Sequence, residues 1–346
     1  MRYRSLTILL LSFIIVGEYN AQDIHLSQFY ASDHLLNPSK MGDFEGDFRI
    51  TGNYRNQWKQ INPPVNKGIT TSIISFDKTF RLRSQEVNAG ILIAHDEFGG
   101  INFSTNKILL SGAYAFSLGD HNIRAGVQTG LVFRNSDLSA QTFPVQWDYP
   151  TGSFNTATPN QESALSPSLN YFDFNVGVQW SKQFGKLHPK VGVALNHLNR
   201  PRDSYFANDY FSESKERLRI RNVIHGELEY NYSSKLTMQP KFLLMWTTNA
   251  NDFIVGSNFR YKTGNKVIPA IFGGVFYRNG IETNRDAVYP VIGVNYLKDF
   301  DLGFSYDVNI STLSQNVDRK GTFEVSIIYI APSINSKRLT IPCERY

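Results

Sequence analysis

The sequence predicts an all-β fold, a transmembrane antiparallel up-and-down β-barrel of about fourteen strands. Three observations predict it. The chain begins with the pattern of an export signal, the rest alternates apolar and polar residues in segments of roughly ten residues, and the links between these segments tend to be short and long in turn. A soluble β-sandwich also alternates, but its strands are usually only about five or six residues long.

Composition limits the classes of protein to which the chain can belong. Its 346 residues carry 35 Lys and Arg against 30 Asp and Glu, and 14% of them are aromatic. A chain this apolar can bury a core, so disorder is not expected. The net charge of +5 is spread along the chain, which is a poor footprint for nucleic acid, and we expect no nucleic-acid partner. Cys343 is the single cysteine, which excludes an internal disulfide and any multi-cysteine metal site.

The N-terminus is expected to be a signal peptide. Arg2 and Arg4 precede an apolar run at 6–16, after which the sequence turns polar. A basic start, a short apolar region and a small residue before the cleaved bond are typical of exported proteins, and we expect cleavage after Ala21. An uncleaved helical anchor is disfavoured, because the run is shorter than the roughly 18 residues that a spanning helix needs.

The mature chain alternates with a period of two. Segments 123–134, 172–180 and 302–311 each place apolar residues at alternate positions. A helix would scatter these residues around its circumference, so the period indicates strands with one apolar and one polar face. Strands are expected to begin near Phe48, Ile69, Val87, Ile101, Ile123, Phe172, Leu187, Leu218, Leu236, Phe253, Val267, Val288, Leu302 and Phe323.

The links between the expected strands differ in length. Those after even-numbered strands are mostly turn-like, as at Gly119-Asp120, with 81–86 as the exception. Odd-numbered strands tend to be followed by longer polar excursions, the longest at about 136–170 and 197–216. Outer-membrane barrels have short periplasmic turns and longer extracellular loops, so we expect an outer-membrane protein with both termini in the periplasm.

These patterns divide the chain into four parts. They are a signal peptide at 1–21, an N-terminal periplasmic or lumen segment at 22–47, the outer-membrane barrel at 48–331, and a periplasmic tail at 332–346. The tail carries three basic residues, which could contact a partner or could belong to a frayed end.

Membrane physics assigns the two faces of each expected strand. Backbone groups in hydrocarbon must be paired, so the sheet closes, with its apolar face toward lipid and its polar face toward the lumen. A charged ladder then faces the lumen at Arg219, Arg221, His225, Glu227 and Glu229. The ladder could select ions, but a solvated wall with paired charges is favoured. Aromatic residues near strand ends are typical of interfacial girdles: Trp58, Trp180, Tyr230, Tyr232, Trp246, Tyr261, Tyr277 and Tyr296.

Six ordered blocks of the mature chain resemble those of a known family. The blocks are Gln22-Asp23-Ile24-His25-Leu26-Ser27-Gln28-Phe29-Tyr30-Ala31-Ser32, then Leu35-Leu36-Asn37-Pro38 with Gly42, Tyr54-Arg55-Asn56-Gln57-Trp58, Ser75-Phe76-Asp77, Asn196-His197-Leu198-Asn199-Arg200-Pro201, and Gly303-Phe304-Ser305-Tyr306-Asp307-Val308-Asn309-Ile310-Ser311 followed by Leu313. They are similar to the motifs of the PorP/SprF family of type IX secretion-system outer-membrane proteins. The blocks cover essentially the whole mature chain, which makes the match more specific than any single motif.

The resemblance implies a role in type IX protein export and, in gliding bacteria, in secretion or surface attachment of large adhesins. It implies partners among the periplasmic ring and lipoprotein subunits of that system and adhesin-type cargo, besides outer-membrane lipid. The residues expected to dock a partner are those of the blocks: Gln28, Phe29, Asn37, Pro38, Gly42, Arg55, Trp58, His197, Pro201, Tyr306 and Asp307.

Alternatives stay open at this point. Asn37-Pro38 could serve as a local turn, or segment 22–42 could be a periplasmic or lumen-entering element that helps to dock a partner. The alternative function is a passive channel for small solutes, which fails if folded-in segments such as 136–170 block the lumen. An outer-membrane enzyme has little support, because the sequence contains no H-E-x-x-H, G-x-S-x-G or P-loop motif, and we expect no cofactor.

Overall fold

Fourteen antiparallel strands close into one barrel in the computed structural model of this protein, which confirms the expected fold. The structure describes residues 23–57, 68–82, 85–98, 103–136, 142–159, 168–203, 217–248, 251–280, 284–310 and 321–333. The barrel strands are β1 (Phe48–Gln57), β2 (Ile69–Leu82), β3 (Gln85–Phe98), β4 (Phe103–Leu118), β5 (His121–Ser136), β8 (Ser168–Lys182), β9 (Leu187–Asn196), β10 (Arg221–Asn231), β11 (Leu236–Trp246), β12 (Asn251–Lys262), β13 (Ala270–Gly280), β14 (Asn284–Tyr296), β15 (Phe300–Asn309) and β16 (Thr322–Ile330).

Each barrel strand pairs with its neighbours along the chain, and β1 pairs with β16 to close the sheet. The closing register runs from Arg49 opposite Ile330 to Gln57 opposite Thr322. Closure leaves no edge strand, so the backbone of every strand has partners on both sides, as hydrocarbon requires. A separate two-stranded hairpin, β6 (Trp147–Asp148) and β7 (Ser153–Phe154), lies in the link from β5 to β8.

The two rims of the barrel carry different links. The turn rim joins β2 to β3, β4 to β5, β8 to β9, β10 to β11, β12 to β13 and β14 to β15, and the loop rim is the opposite one. The link at 81–86 is not an exception, because Leu82 pairs directly with Gln85. Strands β2 and β3 therefore extend farther at this turn than the sequence pattern indicated. Residues beyond the membrane belt no longer need to alternate between apolar and polar side chains.

The loop rim carries the long links expected after β5 and β9, together with shorter ones. The links after β3, β11 and β13 span only 99–102, 247–250 and 281–283. The strand expected near Val267 begins later, at Ala270. Pro269 precedes it and has no N–H to donate to a ladder, which explains the later start.

Side chains alternate between an outer and an inner face. In β4, Leu110 is 58% exposed whereas the adjacent Leu109 is 2% exposed. Large apolar residues such as Ile74, Val127 and Ile292 remain exposed on the outer face, where a barrel of this class contacts lipid. Within the described ranges, no helix has the length and the apolar character needed to cross a membrane.

The inner face is less polar than the alternation predicts. Val223, Leu243 and Ile254 are fully buried inside the barrel rather than lining a solvated wall. Their partner is the N-terminal segment, which lies within the barrel. The continuous apolar run Phe242–Trp246 is a sequence signal of this arrangement, because a strand with apolar surroundings on both faces loses its alternation.

Candidate functional site

Residues 23–42, which we call the plug, run along the inside of the barrel from the loop rim to the turn rim. Asp23 pairs with Lys107 near the loop-rim end of β4, and Asp43, just after the plug, pairs with Lys190 near the turn-rim end of β9. Three short helical turns shape the plug, namely Phe29–Ala31, Asp33–Leu36 and Pro38–Lys40. Plug residues contact inward side chains or backbone of strands all around the barrel, so the plug occupies its lumen.

The beginning of the plug is bound at the seam where the barrel closes. The Glu324 carboxylate on β16 accepts hydrogen bonds from the backbone N–H groups of Ser27 at 2.7 Å and of Gln28 at 2.9 Å. The Gln28 side chain donates to the Glu324 carbonyl at 3.1 Å and to the Ser305 hydroxyl at 3.2 Å. The Ser326 hydroxyl donates back to Gln28 at 2.8 Å. All the hydrogen-bonding atoms of the Gln28 amide therefore have partners on the last two strands.

Buried charges surround Ser27. Its hydroxyl donates to Asp307 at 2.7 Å and accepts from Arg55 Nη1 at 2.8 Å. Arg278 donates to the same Asp307 oxygen at 2.9 Å, and Tyr289 donates to the Ser27 carbonyl at 2.8 Å. Charges removed from water persist only when they are paired and hydrogen-bonded. The plug supplies part of this pairing, which ties its position to the ionic network of the wall.

The turn at Asn37-Pro38 packs against two glycines of the barrel wall. The Asn37 side-chain oxygen Oδ1 accepts from the Ser39 N–H at 2.9 Å, the usual cap of a helical turn, while the side-chain Nδ2 donates to the Val193 carbonyl at 3.2 Å. A Cβ on Gly126 would lie 2.4 Å from the Pro38 carbonyl carbon, and one on Gly177 would lie 1.9 Å from Asn37 Oδ1. Gly126 of β5 and Gly177 of β8 are directly paired in the sheet. The turn fits here only because neither residue has a side chain.

The end of the plug is bound to β1 and β2. The Gly42 N–H donates to Asp77 at 2.9 Å, and Gly42 has a φ of +70°, the left-handed region that favours glycine. Arg49 donates to Asp77 at 2.9 and 3.0 Å and to Asp33 of the plug at 2.5 Å. Asp33 also pairs with Lys40, so an ion-pair network joins the plug to the first hairpin.

At the loop rim a histidine is held between two carboxylates. His197 places Nδ1 2.8 Å from Asp173 and Nε2 2.9 Å from Asp23. Both ring nitrogens face acceptors, so the ring donates twice when it is protonated. Burial alone lowers the pKa of His197, but its hydrogen bonds to Asp173 and Asp23 outweigh burial and raise the pKa above the usual 6.5.

The carboxyl group of Asp23 is shifted in the opposite direction. Burial raises its pKa, but the charges of Arg221 and Lys107 and the hydrogen bond from His197 more than compensate and hold the pKa well below its usual range. Asp23 therefore stays ionised and remains a partner for three cationic groups. The carboxylate at the start of the plug is thus paired with cationic side chains of the wall.

Apolar contacts complete the packing of the plug. Phe29 and Leu36 belong to a buried cluster with wall residues of β9 to β14, and Phe29 meets Phe276 edge to face at 6.3 Å. Ile24 and Leu26 join a second cluster with Leu92 and other wall residues of β2 to β4. The plug is therefore packed between two apolar clusters as well as hydrogen-bonded at both ends.

The plug does not fill the turn-rim half of the lumen completely. A cavity of about 180 Å³ lies between it and the wall of β9 to β16. Its charged lining groups are paired, as in Lys241 with Glu227 at 2.6 Å and Arg260 with Asp301 at 2.6 Å. Within the described residues, no cluster of three or more His, Cys, Asp or Glu side chains is arranged to hold a metal ion.

The structure brings together most of the residues that the sequence singled out. Those at the plug interface are Gln28, Phe29, Asn37, Pro38, Gly42, Arg55, His197 and Asp307. Tyr306 is not among them, since it is 43% exposed on the outer face. Pro201 lies in the loop-rim link after β9, where its carbonyl accepts from the Leu218 N–H. Trp58 lies outside the described residues.

Sequence reasoning missed several residues of this interface. Glu324, Arg278 and Tyr289 were not singled out, although each contacts Ser27 or its partners. Glu324 does carry a signal, because it is the one charged residue within Phe323–Ile330 and stands at an inward position. Three members of the expected charged ladder have partners inside the barrel, since Arg221 binds Asp23 at 2.9 Å, His225 lies 3.0 Å from the Asn37 amide, and Glu227 pairs with Lys241. Arg219 precedes β10 and is not part of the strand.

All six sequence blocks meet at the plug, since two of them lie in it and the other four each supply a wall residue that binds it. The sequence profile described as type IX secretion system membrane protein PorP/SprF matches residues 18–329. The chain belongs to the PorP/SprF family. A search of curated proteins found no match.

Solved outer-membrane barrels resemble this PorP/SprF member in architecture. The toluene transporter TbuX of Ralstonia pickettii is 10% identical with a TM-score of 0.48, over 90% of this chain and 94% of its own. The CymD monoaromatic hydrocarbon channel is 11% identical with a TM-score of 0.49, over 86% and 92%. Omp33 of Acinetobacter baumannii is 6% identical with a TM-score of 0.42, over 83% and 98%. Likenesses this distant carry no argument about function.

Proposed function

We propose that this PorP/SprF protein is a non-enzymatic adaptor of the type IX secretion machinery, fixed in the outer membrane. Its rims would offer surface to periplasmic ring or lipoprotein subunits and to adhesin-type cargo awaiting secretion or surface attachment. The observation that carries the proposal is the occupied lumen, whose plug contains two of the family's sequence blocks and is held by the other four. Family membership supplies the secretion system, and the plug supplies the reason for an adaptor rather than a pore.

The architecture of the rims supports a periplasmic turn rim. The Asp47 N–H donates to the Ala331 carbonyl and the Ala331 N–H to the Phe48 carbonyl, both at 2.9 Å. The chain therefore enters β1 and leaves β16 at the same rim, the turn rim. In barrels with short periplasmic turns this places the link from the plug and the tail after 331 within reach of periplasmic subunits.

The plug itself is proposed to be an internal brace rather than a docking segment. Gln28, Asn37 and Ser39 are fully buried, so they have no free surface for a partner. The residues of the sequence blocks would then fix the plug in the lumen, while the contacts with partners lie on the rims. The proposed role of the block residues is thus indirect, in place of the direct contact with a partner that the sequence led us to expect.

The passive channel remains the second candidate, and the cavity beside the plug is the observation in its favour. The cavity is confined to the turn-rim half, where Asp301 and Arg260 are partly exposed. Planar-bilayer recordings decide between the two. Steady ionic conductance by the unmodified protein would favour a channel, and silence would favour the adaptor.

The adaptor proposal is tested by deleting the gene and comparing the proteins of the cell surface and medium by mass spectrometry. A tagged copy would be purified from outer membranes in parallel. Loss of one or a few large secreted adhesins, with secretion subunits or cargo in the tagged preparation, is the expected result. An unchanged secretome together with reduced uptake of a small solute would overturn the adaptor and promote the channel.

A further inference from the structure

A cluster of polar side chains lies on the outer face of the barrel at the turn rim. His121 begins β5 and stands directly opposite Leu118 of β4 on one side and Lys182 of β8 on the other. Outward positions of these strands are apolar toward the membrane belt, as Leu118 is 68% and Phe116 42% exposed. The cluster therefore lies where the apolar belt gives way to polar surface.

The hydrogen bonds of this cluster define the tautomer of His121. The Trp180 indole N–H can only donate, and it donates to His121 Nδ1 at 2.9 Å. Nδ1 is therefore the nitrogen with the lone pair, and Nε2 carries the ring proton. The Lys182 ammonium lies 3.2 Å from Nε2. Since an ammonium has no acceptor, two N–H donors face each other at that point.

An acceptor shared by these two donors would satisfy both of them. Among the described residues, no carboxylate lies within ion-pair distance of Lys182, whose other contact is with the ring of Phe184 at 5.1 Å. An anionic oxygen beside the cluster would accept from both Nε2 and Nζ. Phosphate oxygens suit such a pair of donors, because a cation and a directed N–H make strong charge-assisted hydrogen bonds to them.

We propose that His121 and Lys182 bind the phosphate of a membrane phospholipid headgroup. The source is a lipid rather than free phosphate because the site borders exposed apolar side chains. Phe184 is 49% exposed beside Lys182, and Leu118 flanks His121, so acyl chains and the glycerol region have apolar surface to cover. Trp180 positions the imidazole by fixing its tautomer, as an interfacial aromatic residue can. The proposal does not depend on the adaptor function.

The test is native mass spectrometry of the purified full-length protein released from detergent. Dioleoyl phosphatidylglycerol is compared with a phosphate-free galactolipid carrying the same acyl chains, and with inorganic phosphate alone. Lys182→Met and His121→Phe each remove one donor, and Lys235→Met alters an exposed lysine of a neighbouring turn as the matched control. Barrel folding of each variant is checked by its electrophoretic heat-modifiability.

The expected result is a phosphatidylglycerol adduct that each site variant weakens by about tenfold, the effect of one charge-assisted hydrogen bond. The control variant keeps the adduct, and the galactolipid does not form it. Equal adducts in all four proteins would overturn the proposal. Equally tight binding of inorganic phosphate would overturn the assignment to lipid, because the acyl chains would then contribute nothing.

Discussion

Ser27 and Asp307 are separated by 280 positions in the sequence and share a hydrogen bond of 2.7 Å inside the barrel. Ser27 belongs to the first sequence block and Asp307 to the last. Their contact joins the plug to β15, next to the seam that closes the sheet. The order of the blocks along the chain therefore reflects a set of partners that meet in the lumen.

Replacing Asp307 with Asn is expected to loosen the beginning of the plug. The substitution keeps the shape but removes the carboxylate that Arg278 binds at 2.9 Å, leaving a buried cation short of a partner. Breaking such a pair costs roughly 3–5 kcal/mol of stability. Hydrogen exchange of residues 23–30 and thermal unfolding measure the loss. Asp47→Asn is the control, because its exposed pair with Lys78 is worth at most about 1 kcal/mol, and equal effects of the two would contradict the prediction.

Gly126→Ala is expected to displace the plug and raise ionic conductance. The added Cβ meets the backbone of Pro38 at 2.4 Å, and backbone cannot move aside as a flexible side chain would. Overpacking of this kind costs about 1–3 kcal/mol. Single-channel recording in planar bilayers is the measurement. Gly52→Ala adds a Cβ where no atom lies within 4 Å, so it should remain silent, and silence of both variants would show that the plug tolerates the insertion.

Asn37→Ala is expected to destabilise the protein by roughly 2–4 kcal/mol, since a cap and buried hydrogen bonds are lost together. The Ser39 N–H loses its acceptor and the Val193 carbonyl loses a donor in a buried site. Urea unfolding from lipid vesicles, followed by tryptophan fluorescence, measures the change. Asn265 accepts from the Val267 N–H in an exposed turn, so Asn265→Ala should cost less, and a reversed order would rule out the buried turn as the cause.

The attachment of Asp23 to the loop rim is expected to weaken as pH rises. The pKa of His197 is raised above its unfolded value of 6.5, so its contribution is fully present below that pH and is lost as pH rises through the folded pKa. The ion pairs of Asp23 with Arg221 and Lys107 retain part of the attachment. Hydrogen exchange of residues 23–28, corrected for its intrinsic pH dependence, should increase with pH. His197→Gln should abolish the trend, and a persisting trend would assign it to another group.

Much of the barrel was predictable because its physics is local. The alternation of apolar and polar residues in segments such as 123–134 follows from the period of two of a strand between lipid and lumen. Turn residues such as Gly119 mark hairpins whose register then aligns neighbouring strands. The position of the plug was not predictable in this way, because nothing local to residues 23–42 distinguishes a lumen element from a periplasmic one.

The sequence by itself determined that this is a fourteen-strand barrel of the PorP/SprF family, through short-range periodicity and ordered motifs. Tertiary structure alone decided where those motifs meet. Gly126 and Gly177 form one bare surface only because β5 and β8 are paired, and Glu324 reaches Ser27 only because the barrel closes. Such contacts join positions far apart in the chain, and their partners depend on the register and curvature of the whole closed sheet, which no segment encodes alone.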